Sequence, residues 1–188
     1  MLKQKKSKIS KTRGNLKSVP RSEKDIERKQ KRAQKTFMDK TILIREKHIK
    51  EHNFYISKID DLGGLPKKGE VWRIRTQAQM NMFTFILYIL QKYGKIDELA
   101  VTSYTMNQKT TSAIFSFFDN QQIDKLKICL SESYSFRMPK MYEQFKTLFN
   151  QRKNSEKIKM CFFWVHGKIN LIKAGGNYFV FEGSGNFS

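Results

Sequence analysis

From residue 98 onward the apolar residues change period repeatedly, and that alternation restricts the chain to architectures in which helices pack on a sheet. Residues 98–104 (ELAVTSY) and 125–130 alternate as strands, while 108–119 and 139–151 carry apolar side chains at helical spacing. Residues 157–173 read as one long strand region, and a turn over 174–177 sends the chain back antiparallel through 178–181. Upstream, 71–76 (VWRIRT) alternates as a further strand. A helical stripe then runs through Met80, Phe83, Phe85, Leu87, Ile89 and Leu90 and stops at Gly94. The expected class is therefore α/β, a mixed β-sheet flanked by helices. Ligands gather at the carboxyl ends of parallel strands in such sheets, which singles out Thr76 and the Thr102-Ser103-Tyr104 run.

Gly63, Gly64, Pro66 and Gly69 form the clearest breakpoint. They separate an N-terminal arm, 1–62, from a domain over 70–188. The arm is expected to be disordered to about Pro20 and helical from Ser22, which precedes Glu23, Asp25 and Glu27 as a capped, acid-first helix start. Of 37 basic and 17 acidic side chains, residues 1–50 hold 18 and 5, so most of the net charge of +20 lies on the arm and the body is more mildly basic. Such a field attracts polyanions in a salt-dependent way but does not itself distinguish DNA from RNA or from an anionic membrane surface. Nucleic acid is the expected partner, DNA ahead of RNA. No apolar run approaches the roughly 18 residues of a membrane helix, and no apolar stretch follows the basic N-terminus as in a secretory signal. No membrane insertion and a cytoplasmic location are expected. Cys129 and Cys161 sit singly in apolar runs, which reads as buried strand thiols rather than a metal or redox pair.

The segment from Val165 to Ser188 reads VHGKINLIKAGGNYFVFEGSGNFS. His166 and Lys168 are two apart, so within a strand their side chains would leave the sheet on one face. The strand turns at Gly175-Gly176 and returns into Gly183-Ser184-Gly185-Asn186, bringing that loop back beside His166 and Lys168. A neutral imidazole is a workable nucleophile toward phosphorus. An ammonium offsets charge on the phosphoryl oxygens, and Ser184 and Asn186 can donate hydrogen bonds to them. No carboxylate cluster accompanies these residues, so the chemistry expected is metal-free phosphoryl transfer with no cofactor.

His-x-Lys followed by Gly-Ser-x-Asn resembles the HKD motif of the phospholipase D superfamily, and the element order from Val71 is similar to that fold. The resemblance implies a phosphodiesterase in which His166 is the nucleophile or acid, Lys168 binds phosphate, and Ser184 and Asn186 complete the phosphate loop. The motif's usual Asp is replaced by Lys173, as in some nuclease-like members, and the spacing from Lys168 to Gly183 is slightly long. Glu182 is a weak candidate to replace part of the missing carboxylate. A single motif is similar to the branch whose members pair two copies as a homodimer, one His attacking and the other protonating the leaving oxygen. Members also continue past the Asn, so the chain is expected to be incomplete beyond Ser188. The leading expectation is a nuclease working through a phosphohistidine. Its rivals are a catalytically degenerate nucleic-acid-binding protein of the same fold and, ranked lower, a lipid-acting phospholipase D.

Other features take plainer readings. His48 and His52 have the i,i+4 spacing of a zinc pair, but no third ligand accompanies them and a Lys-rich helix suggests a solvated face. Met80, Met82, Phe83 and Phe85, and Phe115, Phe117 and Phe118, read as core. Trp164 reads as buried, and Gly175-Gly176 as a hairpin turn rather than a phosphate cradle.

Overall fold

A computed structural model of the chain describes residues 23–74 and 80–183. The expected disordered arm, the cap at Ser22, Thr76, Ser184 and Asn186 all lie outside the described residues. The chain divides into two compact units, Met1–Asp39 and Lys40–Ser188. The first contains the beginning of α1 (Glu23–Asp61), a charged stretch exposed over 26–35 with a Lys31–Glu27 ion pair.

The second unit has a mixed α/β architecture. After the rest of α1 come α2 (Met82–Tyr93), β1 (Ile96–Ser103), α3 (Gln108–Asp119), β2 (Ile123–Ser131), the single turn α4 (Tyr134–Arg137), α5 (Pro139–Asn150), β3 (Ile158–Phe163), β4 (Ile169–Ala174) and β5 (Asn177–Glu182). Side-chain oxygens of Asn81 and Asn107 accept from the first-turn amides of Phe83 and Thr110 and so start α2 and α3. Gly94, in the left-handed region at φ 74°, ends α2. Val71–Ile74 are not a strand: Val71 is 87% exposed, and alternation alone cannot hold an extended segment that has no neighbour to pair with.

The five strands are ordered β3-β2-β1-β4-β5, with β1, β2 and β3 parallel and β4 and β5 antiparallel to their neighbours. The expected single strand over 157–173 is therefore two strands on opposite sides of the β2-β1 pair. Register places Leu99, Val101, Leu126, Ile128, Ile172 and Phe162 on one face. Helices pack on that face: Phe85 and Tyr93 of α2 meet Phe181 and Phe179 at 4.6 and 5.8 Å between ring centres, and Tyr142 of α5 meets Phe162 at 4.9 Å. The other face carries Lys125, Lys127, Lys159, Leu171, Tyr178 and Val180 and is open to solvent. Cys129 is buried, but Cys161 is exposed rather than buried. Among the described residues, no helix is long and apolar enough to cross a membrane.

The reading of a solvated His48–His52 face is overturned. Both are buried at 6%, on a stripe of α1 that continues through Ile56 and Ile59. His48 Nε2 shares a 3.0 Å hydrogen bond with Thr110 Oγ1, and His52 Nδ1 a 2.8 Å bond with Thr84 Oγ1. Imidazole is amphipathic, so a hydroxyl partner allows it to join an apolar face.

The β4–β5 turn is the two-residue hairpin expected from its glycines, with φ 56° at Gly175 and 75° at Gly176. A side chain at Gly175 would also fall on the Tyr93 ring. Gly175→Ala is expected to cost about 2–4 kcal/mol, combining left-handed strain with overpacking. Gly176→Ala, with open space around it, should cost only the strain. Urea unfolding of the two variants checks the difference.

Stability should fall in alkali. Burial pushes the Tyr134 phenol from 10.0 up to about 12, and its hydroxyl donates to the Met106 carbonyl at 2.6 Å. Burial also raises Tyr88 to about 12, helped by its 2.7 Å bond to Asp60. Burial, and then the Cys161 thiol, raise Cys129 from 9.0 to about 12. All three are raised above their unfolded values, so their stabilisation is complete below pH 9 and is lost between pH 9 and about 12. Tyr134 alone contributes on the order of 3 kcal/mol to this loss. A Tm that stays flat from pH 9 to 11 would contradict it, and Tyr134→Phe should make the decline shallower.

Candidate active site

The topology forces a crossing. The chain leaves β3 at one sheet edge and must enter β4 beside β1, so residues 164–168 pass over the carboxyl ends of β2 and β1. The Glu132 amide donates to the Phe163 carbonyl at 3.1 Å where the crossing begins. At its end Thr102 Oγ1 donates to the Gly167 carbonyl at 3.2 Å and accepts from the Ile169 amide at 3.1 Å. Thr102 thus acts as the clamp that sets where the His-x-Lys segment sits.

His166 and Lys168 are consequently not strand residues, as the sequence suggested, but belong to this crossing segment. The His166 side chain is exposed and its ring lies 4.7 Å from that of Tyr104, just past the end of β1. The Arg137 guanidinium stands 5.4 Å from the centre of the same Tyr104 ring. Lys168 is half-buried, and its ammonium donates to the His166 carbonyl at 3.2 Å. That bond uses one of three donors and leaves two. The Gly183 amide donates to the Lys168 carbonyl at 3.2 Å, so β5 delivers the chain into the Gly-Ser-x-Asn segment directly beside Lys168. Ser184 and Asn186 themselves lie outside the described residues.

Polar groups continue under the crossing. Ser103 Oγ donates to the Thr105 carbonyl at 2.6 Å, and Ser131 and Ser133 share a buried 2.9 Å bond. Asn170 is fully buried, and its amide donates to the Met82 carbonyl at 3.2 Å. Lys173 stands at the other end of β4, opposite Glu98, with its ammonium 5.5 Å from the centre of the Tyr178 ring. It stands five positions beyond Lys168, roughly 16 Å along the extended chain, so its charge acts on a different part of the sheet. Glu182 is exposed and pairs in register with Ile169.

Sequence reasoning missed Arg137, and it placed Trp164 inside where the side chain is 72% exposed. Phe136, 62% exposed, was also missed. Its signal was present: no apolar residue stands three or four positions away on either side, apart from Pro139.

Among the described residues, no three His, Cys, Asp or Glu side chains cluster as metal ligands. A cavity of about 400 Å³ lined by Asn53, Ile56, Ser57, Asp60 and Gln91 has none of the motif residues in its wall. Comparison with protein-family models, with curated proteins and with solved structures finds no match.

Proposed function

We propose that this chain supplies one half-site of a phospholipase D-type phosphodiesterase that cleaves nucleic acid, DNA ahead of RNA. The observation that carries the reading is the crossing segment: it lays His166 and Lys168 over the carboxyl ends of parallel strands, with Gly183 bonded beside them. The basic composition supports the choice of a polyanionic substrate.

In this mechanism the imidazole of His166 attacks phosphorus, a P–N bond forms, and the P–O ester bond breaks. The same histidine of a second copy protonates the departing oxygen, which makes the working unit a homodimer. Water then attacks phosphorus while giving a proton to the second copy's histidine, the P–N bond breaks, and both imidazoles return to their starting protonation states. Lys168 offsets the charge on the phosphoryl oxygens through its remaining donors, and Ser184 and Asn186 are assigned to the same oxygens.

The test is hydrolysis of labelled DNA, RNA and liposomes in excess EDTA. Cleavage of nucleic acid that persists in the chelator supports the reading. Binding without turnover would make the chain a degenerate member that holds phosphodiesters. Headgroup release from liposomes without nuclease activity would redirect the site to lipids.

A further inference from the structure

We infer that the rim beside His166 is a stacking surface for unpaired bases, so that the nucleic acid held there is single-stranded. The inference deepens the phosphodiesterase reading and rests on it for the fate of the bound strand, but not for binding itself.

Trp164 and Phe136 are the basis. They are 72% and 62% exposed, and their rings stand 6.4 Å apart at 52°. Phe163, half exposed, precedes Trp164 in the chain, and Met138, also exposed, follows Phe136 by two. Aromatic side chains carry large apolar surface, and a folded chain seldom leaves several of them together in water without a ligand. This patch is interleaved with cations: Arg137 lies between Phe136 and Met138 in sequence, Lys140 follows on an exposed turn of α5, and Lys168 closes the crossing. A purely apolar partner would leave those charges poorly solvated, whereas a strand of nucleic acid presents phosphates to the cations and base faces to the rings.

Strandedness follows from the same chemistry. In a duplex both faces of each base are covered by neighbouring pairs, so exposed rings gain nothing; in a single strand the faces are free. Stacking is indifferent to base identity, so this surface should not read sequence. Position links it to the motif. At most about 7 Å of backbone separates residues 164 and 166, so a base resting on Trp164 keeps its own phosphate close to His166.

The test uses the full chain carrying His166→Ala, so that nothing is cleaved, and three fluorescein-labelled probes of about 15 nucleotides, the scale of a single-strand site. These are oligothymidine, an abasic deoxyribose-phosphate chain of the same charge, and a duplex. Anisotropy at one fixed salt concentration gives the affinities. Oligothymidine should bind at least about tenfold tighter than the abasic chain. Adding Trp164→Ala or Phe136→Ala should erase that margin and leave abasic binding unchanged. Equal affinity for the first two probes overturns the inference, as does a preference for duplex. A Trp164→Ala variant that keeps its binding but sediments as a smaller species assigns the patch to contact between copies and also overturns it. Base-dependent binding by a wild-type protein that never cleaves would sustain this inference and defeat the phosphodiesterase reading. Cleavage in EDTA that is indifferent to Trp164 would do the reverse.

Discussion

His166→Ala should lower the proposed phosphodiester hydrolysis by about four orders of magnitude or more, because in the proposed paired site it removes the nucleophile and the proton donor together. The fold should not register the change. The side chain is exposed and its only described ring neighbour is Tyr104, so stability should stay within what a surface substitution causes, about 0.5 kcal/mol. The proposed affinity for nucleic acid should also persist, since Lys168, Arg137 and the basic arm remain. The measurement is single-turnover cleavage in EDTA beside a thermal melt. Cleavage by the variant at the wild-type rate would remove His166 from the chemistry. Loss of cleavage together with a lowered Tm would show a structural role instead. Lys168→Ala is a weaker probe, because it also releases the His166 carbonyl.

Phe83→Ala should be the most damaging core substitution on the helical side of the sheet. The ring is fully buried and sits where three elements meet: it stacks on His48 at 5.2 Å, meets His52 edge-on at 5.1 Å, and lies 6.3 Å from Phe117 of α3. Truncation removes contacts to α1 and α3 at once and leaves a cavity that two hydrogen-bonded imidazoles cannot easily fill. The expected cost is about 3–5 kcal/mol, and a Tm lower by about 10 °C. Phe83→Leu, which keeps most of the volume, should lose less than half of that. A Tm within a degree or two of wild type for Phe83→Ala would mean that the lower half of α1 does not depend on this contact.

The sequence was informative where one rule decided the outcome. Residues 108–119 show the helical period that α3 adopts, and Gly175-Gly176 between alternating runs marks the tight hairpin. It misled where tertiary pairing overrides local pattern. Apolar residues run unbroken through Met160, Cys161, Phe162, Phe163, Trp164 and Val165, so nothing local marks the point where the chain leaves its parallel partner; the break is imposed by β4 pairing on the far side of β1. Residues 71–74 alternate yet lack a partner, and His48 and His52 sit among lysines yet point inward because Thr84 and Thr110 supply their hydrogen bonds. For the site, the hairpin legible in the sequence was enough to bring the Lys168 and Gly183 backbones together. The Thr102-Ser103-Tyr104 run was legible as the carboxyl end of a parallel strand, but the approach of Arg137 to Tyr104 depends on where separate strand ends finish, and no spacing in the sequence encodes that.

The open face of the sheet bears on the protein's behaviour in solution. Leu171, Val180 and Tyr178 form an apolar strip along the β4–β5 hairpin, and Lys125 and Lys159 stand on the same face, where Lys127 is paired with Glu98. The strip favours self-association, and the lysines oppose it by mutual repulsion between molecules. That repulsion reaches about 8 Å at physiological ionic strength and only about 3 Å at 1 M, while the attraction between apolar surfaces is not screened. The concentrated salt used to strip nucleic acid from a basic protein is therefore the condition under which this molecule is most prone to precipitate.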